Sequence, residues 1–159
     1  MFATLSPRLA QLFASYSDDH RNARNQLIHV VAVPAIAWSV IALLWCLPPL
    51  MTWFQHGIWA AVAMFVAWCW YNRQSRALGL GMLAFFFVSA CLCRLIEQRW
   101  GLGALWPTAL IVFAVAWLAQ FIGHHIEGRR PSFLTDLVYL LVGPAWVLAK
   151  VYRRLGLRY

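Results

Sequence analysis

Apolar residues in this chain fall in long runs, most of them of about twenty, parted by short polar breaks. Leu27 to Leu47 is the first run, with Pro34 inside it and Pro48-Pro49 closing it. Trp59 to Tyr71, Leu78 to Ile96 and Ala104 to Ile122 follow. The breaks between them are Asn72-Arg73-Gln74-Ser75-Arg76 and Glu97-Gln98-Arg99-Trp100-Gly101. Runs of this length match the roughly 20 residues that carry a helix across a bilayer. Ahead of them, Leu5, Leu9, Leu12, Phe13 and Tyr16 recur at helical spacing behind Ser6-Pro7, a cap and a first-turn proline. This pattern predicts an amphipathic helix lying on the membrane surface. A last apolar segment, Phe133 to Val151, carries Asp136 near its start and Gly143-Pro144 in its middle. It reads as a fifth span or as a broken helix that enters and returns. No internal repeat or low-complexity segment interrupts the chain.

Composition strengthens the membrane reading. The 159 residues are 63% hydrophobic and 11% charged, with a mean hydropathy of +0.66. A soluble domain carries about 25% charged residues, so this chain has too few to solvate its surface. The expectation is one membrane domain over residues 1–159. Cys46, Cys69, Cys91 and Cys93 all lie in apolar runs and form no Cys-x-x-Cys pair, which predicts inert buried thiols. The N-terminus has no apolar run of the length a cleavable signal peptide needs.

The net charge of +8 would suggest nucleic acid in a soluble protein, but here the basic residues flank the spans and set topology. No nucleic-acid partner is expected. With a cytoplasmic N-terminus, Arg8, Arg21, Arg24, Arg73, Arg76, Arg129 and Arg130 lie inside, and Arg94 and Arg99 outside. If the last segment returns, Lys150, Arg153, Arg154 and Arg158 join the inner set, making eleven against two; if it crosses, the split is seven against six. The positive-inside rule favours the return. Trp45, Trp53, Trp59, Trp100 and Trp106 near the outer turns suit an aromatic belt. The expected fold is therefore all-α: an integral membrane helical bundle of about four transmembrane helices. An N-terminal interfacial helix and a broken or re-entrant C-terminal helix complete it.

Candidate chemistry then concentrates at one face. His20 precedes the first span, His29 begins it, and His124 and His125 end the fourth, so an even number of crossings puts all four on the cytoplasmic side. His56 faces the other way. Ionisable groups at the end of a span are costly and usually have a task, and converging imidazoles suit a first-row transition metal. Asn25 and His29 share a helical face, as do His124 and Glu127. His20 lies nine residues before His29, so a bend around Arg21 to Arg24 is needed to aim both at one ion. The set predicted is His20, His29 and His124, completed by His125 or Glu127; alternatively Glu127 orients an imidazole from outside the ligand set. Asn22 and Asn25 read as caps or as partners of the histidines. Arg129 and Arg130 suit headgroups or a substrate carboxylate.

These motifs carry a resemblance. The run Tyr16 to His29, with His20-Arg21-Asn22-Ala23-Arg24-Asn25-Gln26-Leu27-Ile28-His29 and Pro34 beyond, is one half of it. Gln120-Phe121-Ile122-Gly123-His124, followed by Glu127, Arg129-Arg130-Pro131 and Gly143-Pro144, is the other. Together they resemble a family of small membrane proteins, formerly of unknown function, that contains the fungal endoplasmic-reticulum 2-hydroxy fatty acid dioxygenase. The resemblance covers nearly the whole chain in order and architecture. It implies Fe(2+), histidine ligation by His20, His29 and His124, and fatty-acid α-oxidation: a 2-hydroxy fatty acid and O2 as substrates, one carbon lost, and no 2-oxoglutarate.

The expected activity is thus an iron(II)-dependent oxygenase among membrane lipids, in a bacterial inner membrane with its metal site facing the cytoplasm. Phe85, Phe86, Phe87 and Phe121 are candidates for a groove around the substrate tail, although ordinary lipid-facing packing explains them as well. Three rivals remain: a membrane scaffold or lipid-binding protein, a zinc-dependent hydrolase on the same histidines, and a transporter. The last would need polar midplane groups, and the spans offer mainly Ser39, Ser89 and Thr108. Chain length, oligomeric state and the final ligand are left open by the sequence.

Overall fold

A computed structural model describes residues 5–51, 53–128 and 138–159. Six helices and no strand occur among them: α1 (Pro7–Asp18), α2 (Ala23–Trp45), α3 (Ile58–Gln74), α4 (Arg76–Trp100), α5 (Leu102–Glu127) and α6 (Tyr139–Arg154). Three are long and apolar enough to cross a membrane: α2, α4 and α5. The expected span Trp59 to Tyr71 lies within α3, whose 17 residues measure about 25 Å at 1.5 Å each, a little under the ~30 Å hydrocarbon thickness.

Local chemistry sets the helix boundaries. Ser6 caps α1 by accepting from the Leu9 N–H at 3.2 Å, with Pro7 in the first turn. Asn22 caps α2 in the same way, accepting from Arg24 N at 2.9 Å. Pro34 does not stop α2, which ends at Trp45, just before Pro48-Pro49. Ser75 serves both as the C-cap of α3 and as the N-cap of α4, so these two helices form a hairpin on a single residue. Gly128 closes α5 in the left-handed conformation (φ +72°), its N–H turned back to the carbonyls of His124 and His125.

Packing centres on the pair α2 and α5, with α3 and α4 against each other and α4 beside α5. The chain turns at residues 19–22, between α1 and α2, two residues ahead of the bend expected around Arg21 to Arg24. Two expectations are corrected. The apolar face of α1 does not lie on the membrane: Leu9, Phe13 and Tyr16 are buried, and the helix packs on α6. An amphipathic stripe fits a protein face as readily as a lipid face. Nor does Gly143-Pro144 break the last helix, because α6 runs unbroken from Tyr139 to Arg154 with Pro144 inside it. Proline so near a helix start removes only one early hydrogen bond. The part of that segment holding Phe133 and Asp136 lies outside the described residues.

The exterior is strongly apolar. Leu27, Val31, Phe65, Phe87, Ile111 and Val115 are each more than 60% exposed, a surface suited to lipid and not to water. Trp53, Trp100 and Trp106 are exposed at the end opposite the histidines.

Candidate metal centre

Three elements meet at the head of the bundle. The turn after α1 supplies His20, the second turn of α2 supplies His29, and the last turn of α5 supplies His124. All three are buried, at 1%, 0% and 5% exposure. One ring nitrogen from each lies within 4.8 Å of the other two, on the scale of two metal–nitrogen bonds of about 2.1 Å. The ring centroids are 4.3 Å (His20–His29), 5.0 Å (His20–His124) and 4.9 Å (His29–His124) apart.

The hydrogen bonds fix the tautomers. His20 Nδ1 is 2.6 Å from the Tyr16 carbonyl, and His29 Nδ1 is 3.0 Å from the Asn25 carbonyl. A carbonyl only accepts, so each Nδ1 carries the proton and each Nε2 keeps its lone pair. His20 Nε2, His29 Nε2 and His124 Nδ1 are then buried without a hydrogen-bond partner. Buried polar atoms are rarely left so. Three such nitrogens in one cluster fit a cation that all of them share. Burial also pushes the His20 pKa below the ordinary histidine range, against the Tyr16 carbonyl and the charges of Asp19 and Glu127, which pull it up. The ring is therefore held in the neutral, ligating form.

A second layer aims these rings. Glu127 accepts from Arg21 N (2.9 Å), Asn22 N (2.9 and 3.1 Å) and the Asn25 side-chain amide (3.0 Å). It stitches the end of α5 to the start of α2. Asn25, gripped by Glu127, offers its carbonyl to His29 in turn. Gly123 makes the close crossing possible, since a Cβ there would overlap Asn25 Oδ1. On the other side Tyr16 stacks on His20 at 4.1 Å and 18°, and Trp146 lies 5.7 Å from it. Trp146 donates to Ser17 at 2.9 Å, while Gln26 bridges from the His20 carbonyl to Lys150, both at 2.6 Å. These contacts tie α6 to the turn that holds His20.

The remaining expectations sort themselves around this centre. His125 is exposed and stands outside the cluster. Glu127 is engaged with the facing segment as just described. Arg129 and Arg130 lie outside the described residues. His56 is exposed in the link between α2 and α3. Of the four phenylalanines, Phe86 lines a cavity of about 480 Å³ that opens beside His124, whereas Phe87 and Phe121 are half or more exposed. Sequence reasoning counted Gln120 in a motif without giving it a role and passed over Trp146. Gln120 sits one turn before His124, buried and facing the cavity; a polar residue four positions from a ligand was the available signal. Trp146 gave none, being one tryptophan in an apolar run.

Chemically, three neutral imidazoles beside an apolar cavity leave room for further donors on a shared ion. That is the arrangement of metals that bind substrate directly and not of closed structural sites.

Comparison with known proteins points the same way. A family profile described as 2-hydroxy-palmitic acid dioxygenase Mpo1-like matches residues 7–155. The 2-hydroxy-palmitic acid dioxygenase MPO1 of Saccharomyces cerevisiae is 29% identical over 143 residues, covering 89% of this chain and 78% of that protein. No solved structure matches.

Proposed function

We propose that this chain, which belongs to the 2-hydroxy-palmitic acid dioxygenase Mpo1-like family, is an iron(II)-dependent dioxygenase that shortens 2-hydroxy fatty acids by one carbon. The observation that carries the reading is the set of three buried, unpartnered imidazole nitrogens on His20, His29 and His124. His20, His29 and His124 would hold the iron(II), which would supply a redox-active centre at which a 2-hydroxy acid could react with O2. The reaction balances without a co-reductant: the C1–C2 bond breaks, C2 becomes the new carboxyl, C1 leaves as carbon dioxide and one water forms.

The protein's own groups hold and shape the site. The Tyr16 and Asn25 carbonyls keep the two Nδ1 protons in place, so both rings face inward. Glu127 fixes Asn25 and the turn carrying His20. Gln120 lines the polar end of the cavity beside His124, where its side-chain amide would be available to a substrate carboxylate or hydroxyl. Apolar walls beyond it keep bulk water from the reacting carbon. On this reading α2, α3, α4 and α5 are the four spans, and the excess of basic residues at the histidine end favours a cytoplasmic site by the positive-inside rule.

The test is metal analysis of protein purified in mild detergent, with and without His29→Ala and His124→Ala. Oxygen uptake and product acids are then followed with 2-hydroxypalmitate. About one iron per chain, oxygen uptake and an acid one carbon shorter are expected, all lost in the variants. Zinc without oxygen uptake would turn the same residues toward hydrolysis. Absence of metal after anaerobic iron(II) reconstitution would leave a lipid-binding protein.

A further inference from the structure

The cavity beside His124 changes character along its length. Tyr16, Gln120 and His124 line one end, where Tyr71 also donates its hydroxyl to the Leu141 carbonyl at 2.9 Å. The other end is walled by Ile41, Leu44, Ala63, Met64 and Phe113, with no polar side chain among them. The lining residues on α2 recur along one helical face from Val33 to Leu44. Those eleven steps measure about 16 Å, and from His29 to Leu44 the distance is about 22 Å. An extended alkyl chain, with C–C bonds of about 1.5 Å at tetrahedral angles, advances about 1.3 Å per carbon. The stretch from the histidines to Leu44 therefore takes about seventeen carbons. A cavity with one polar end, at a metal-binding cluster, and one apolar end fits an amphiphile of that length with a single head.

Building on the dioxygenase reading, we propose that the cavity holds the acyl tail of the substrate and that Leu44, Ala63 and Met64 at its far end set the chain length accepted. Ala63 and Met64 lie on α3 eight and seven residues from Tyr71, about 11 Å deeper than the polar end. Ala63 is the smallest of the three, so a larger side chain there shortens the space directly. Leu44 contributes the floor from α2, and trimming it deepens the space.

The experiment measures binding to the metal-free protein, so that it does not depend on turnover. A fluorescent fatty acid is displaced by 2-hydroxy and unsubstituted fatty acids of increasing length from wild type, Ala63→Phe and Leu44→Ala. Wild-type affinity should rise about fourfold per methylene and level off near sixteen or seventeen carbons. In Ala63→Phe the plateau should come about four carbons earlier, because a ring about 5 Å long replaces that many rises, with short-chain affinity retained. In Leu44→Ala it should move later. A plateau that stays in place in both variants, in protein that still binds short chains, overturns the proposal even if the loaded wild type consumes oxygen. Plateaus that move as stated support it even if the loaded protein consumes none, in which case the dioxygenase reading alone falls.

Discussion

Glu127→Ala removes the acceptor shared by three donors of the facing segment. The bond from Arg21 N is exposed, so water replaces it at little cost. Those from Asn22 N and the Asn25 amide are part-buried. Hydrogen bonds to a charged acceptor contribute about 1.5–3 kcal/mol each when made. Taking the lower figure for two half-shielded bonds, the folded state loses roughly 3 kcal/mol. The metal should suffer as well, because partners that orient a ligand are worth about 10–100-fold in affinity. Here the path runs from Glu127 through Asn25 to His29. Glu127→Gln keeps a carbonyl acceptor and loses the charge, so it should recover part of both losses. The assay is competition of the purified protein against a chromophoric chelator for a divalent ion, paired with thermal unfolding. If Glu127→Ala keeps wild-type metal affinity and melting temperature, the stitching role is refuted. If Glu127→Gln and Glu127→Ala lose the ion as completely as His29→Ala does, Glu127 is a ligand and not a positioning residue.

Other outcomes follow from the same geometry. His20→Ala, His29→Ala and His124→Ala should each reduce bound metal at least tenfold, whereas His125→Ala, outside the cluster and exposed, should leave stoichiometry unchanged; elemental analysis decides. Gly123→Ala should destabilise by about 1–3 kcal/mol, as overpacking does, because its Cβ would overlap Asn25 Oδ1; a wild-type unfolding midpoint would refute this. Burial lowers the His20 pKa, so the unfolded chain takes up that proton first as pH falls below about 6.5. Stability of the metal-free protein should decline there, and the decline should be shallower in His20→Gln; parallel stability profiles from pH 7 to 5 would refute it.

Much of this arrangement was legible in the chain itself. Run length located the helices, because a bilayer demands satisfied backbone over a fixed thickness. The histidines were legible because each lies at the edge of a run, where an ionisable group stands out. The fate of the α1 stripe was not, since Leu9, Phe13 and Tyr16 look alike to lipid and to α6. Gly143-Pro144 carries a strong local signal against helix, and the packing of Val142, Ala145 and Trp146 overrides it. The part played by Glu127 was open because a carboxylate three residues from a histidine can reach an ion or a neighbouring backbone equally well. The cavity needed all six helices at once, and no window of sequence contains it.

The positions of the three histidines also set an order of assembly. His29 and His124 are separated by 95 residues, which a ribosome adds in about 5–20 s. Throughout that interval the growing chain holds at most two of the three donors, and α5, which carries the third, is incomplete until its end. No complete site exists for an ion to find during synthesis. An ion held by this trio could be loaded only once His124 is in place, and the chain would have to keep its three rings gathered until the ion arrived. Glu127, reaching back more than a hundred residues to Arg21 and Asn22, is the latch that holds the two ends of the chain together while it waits.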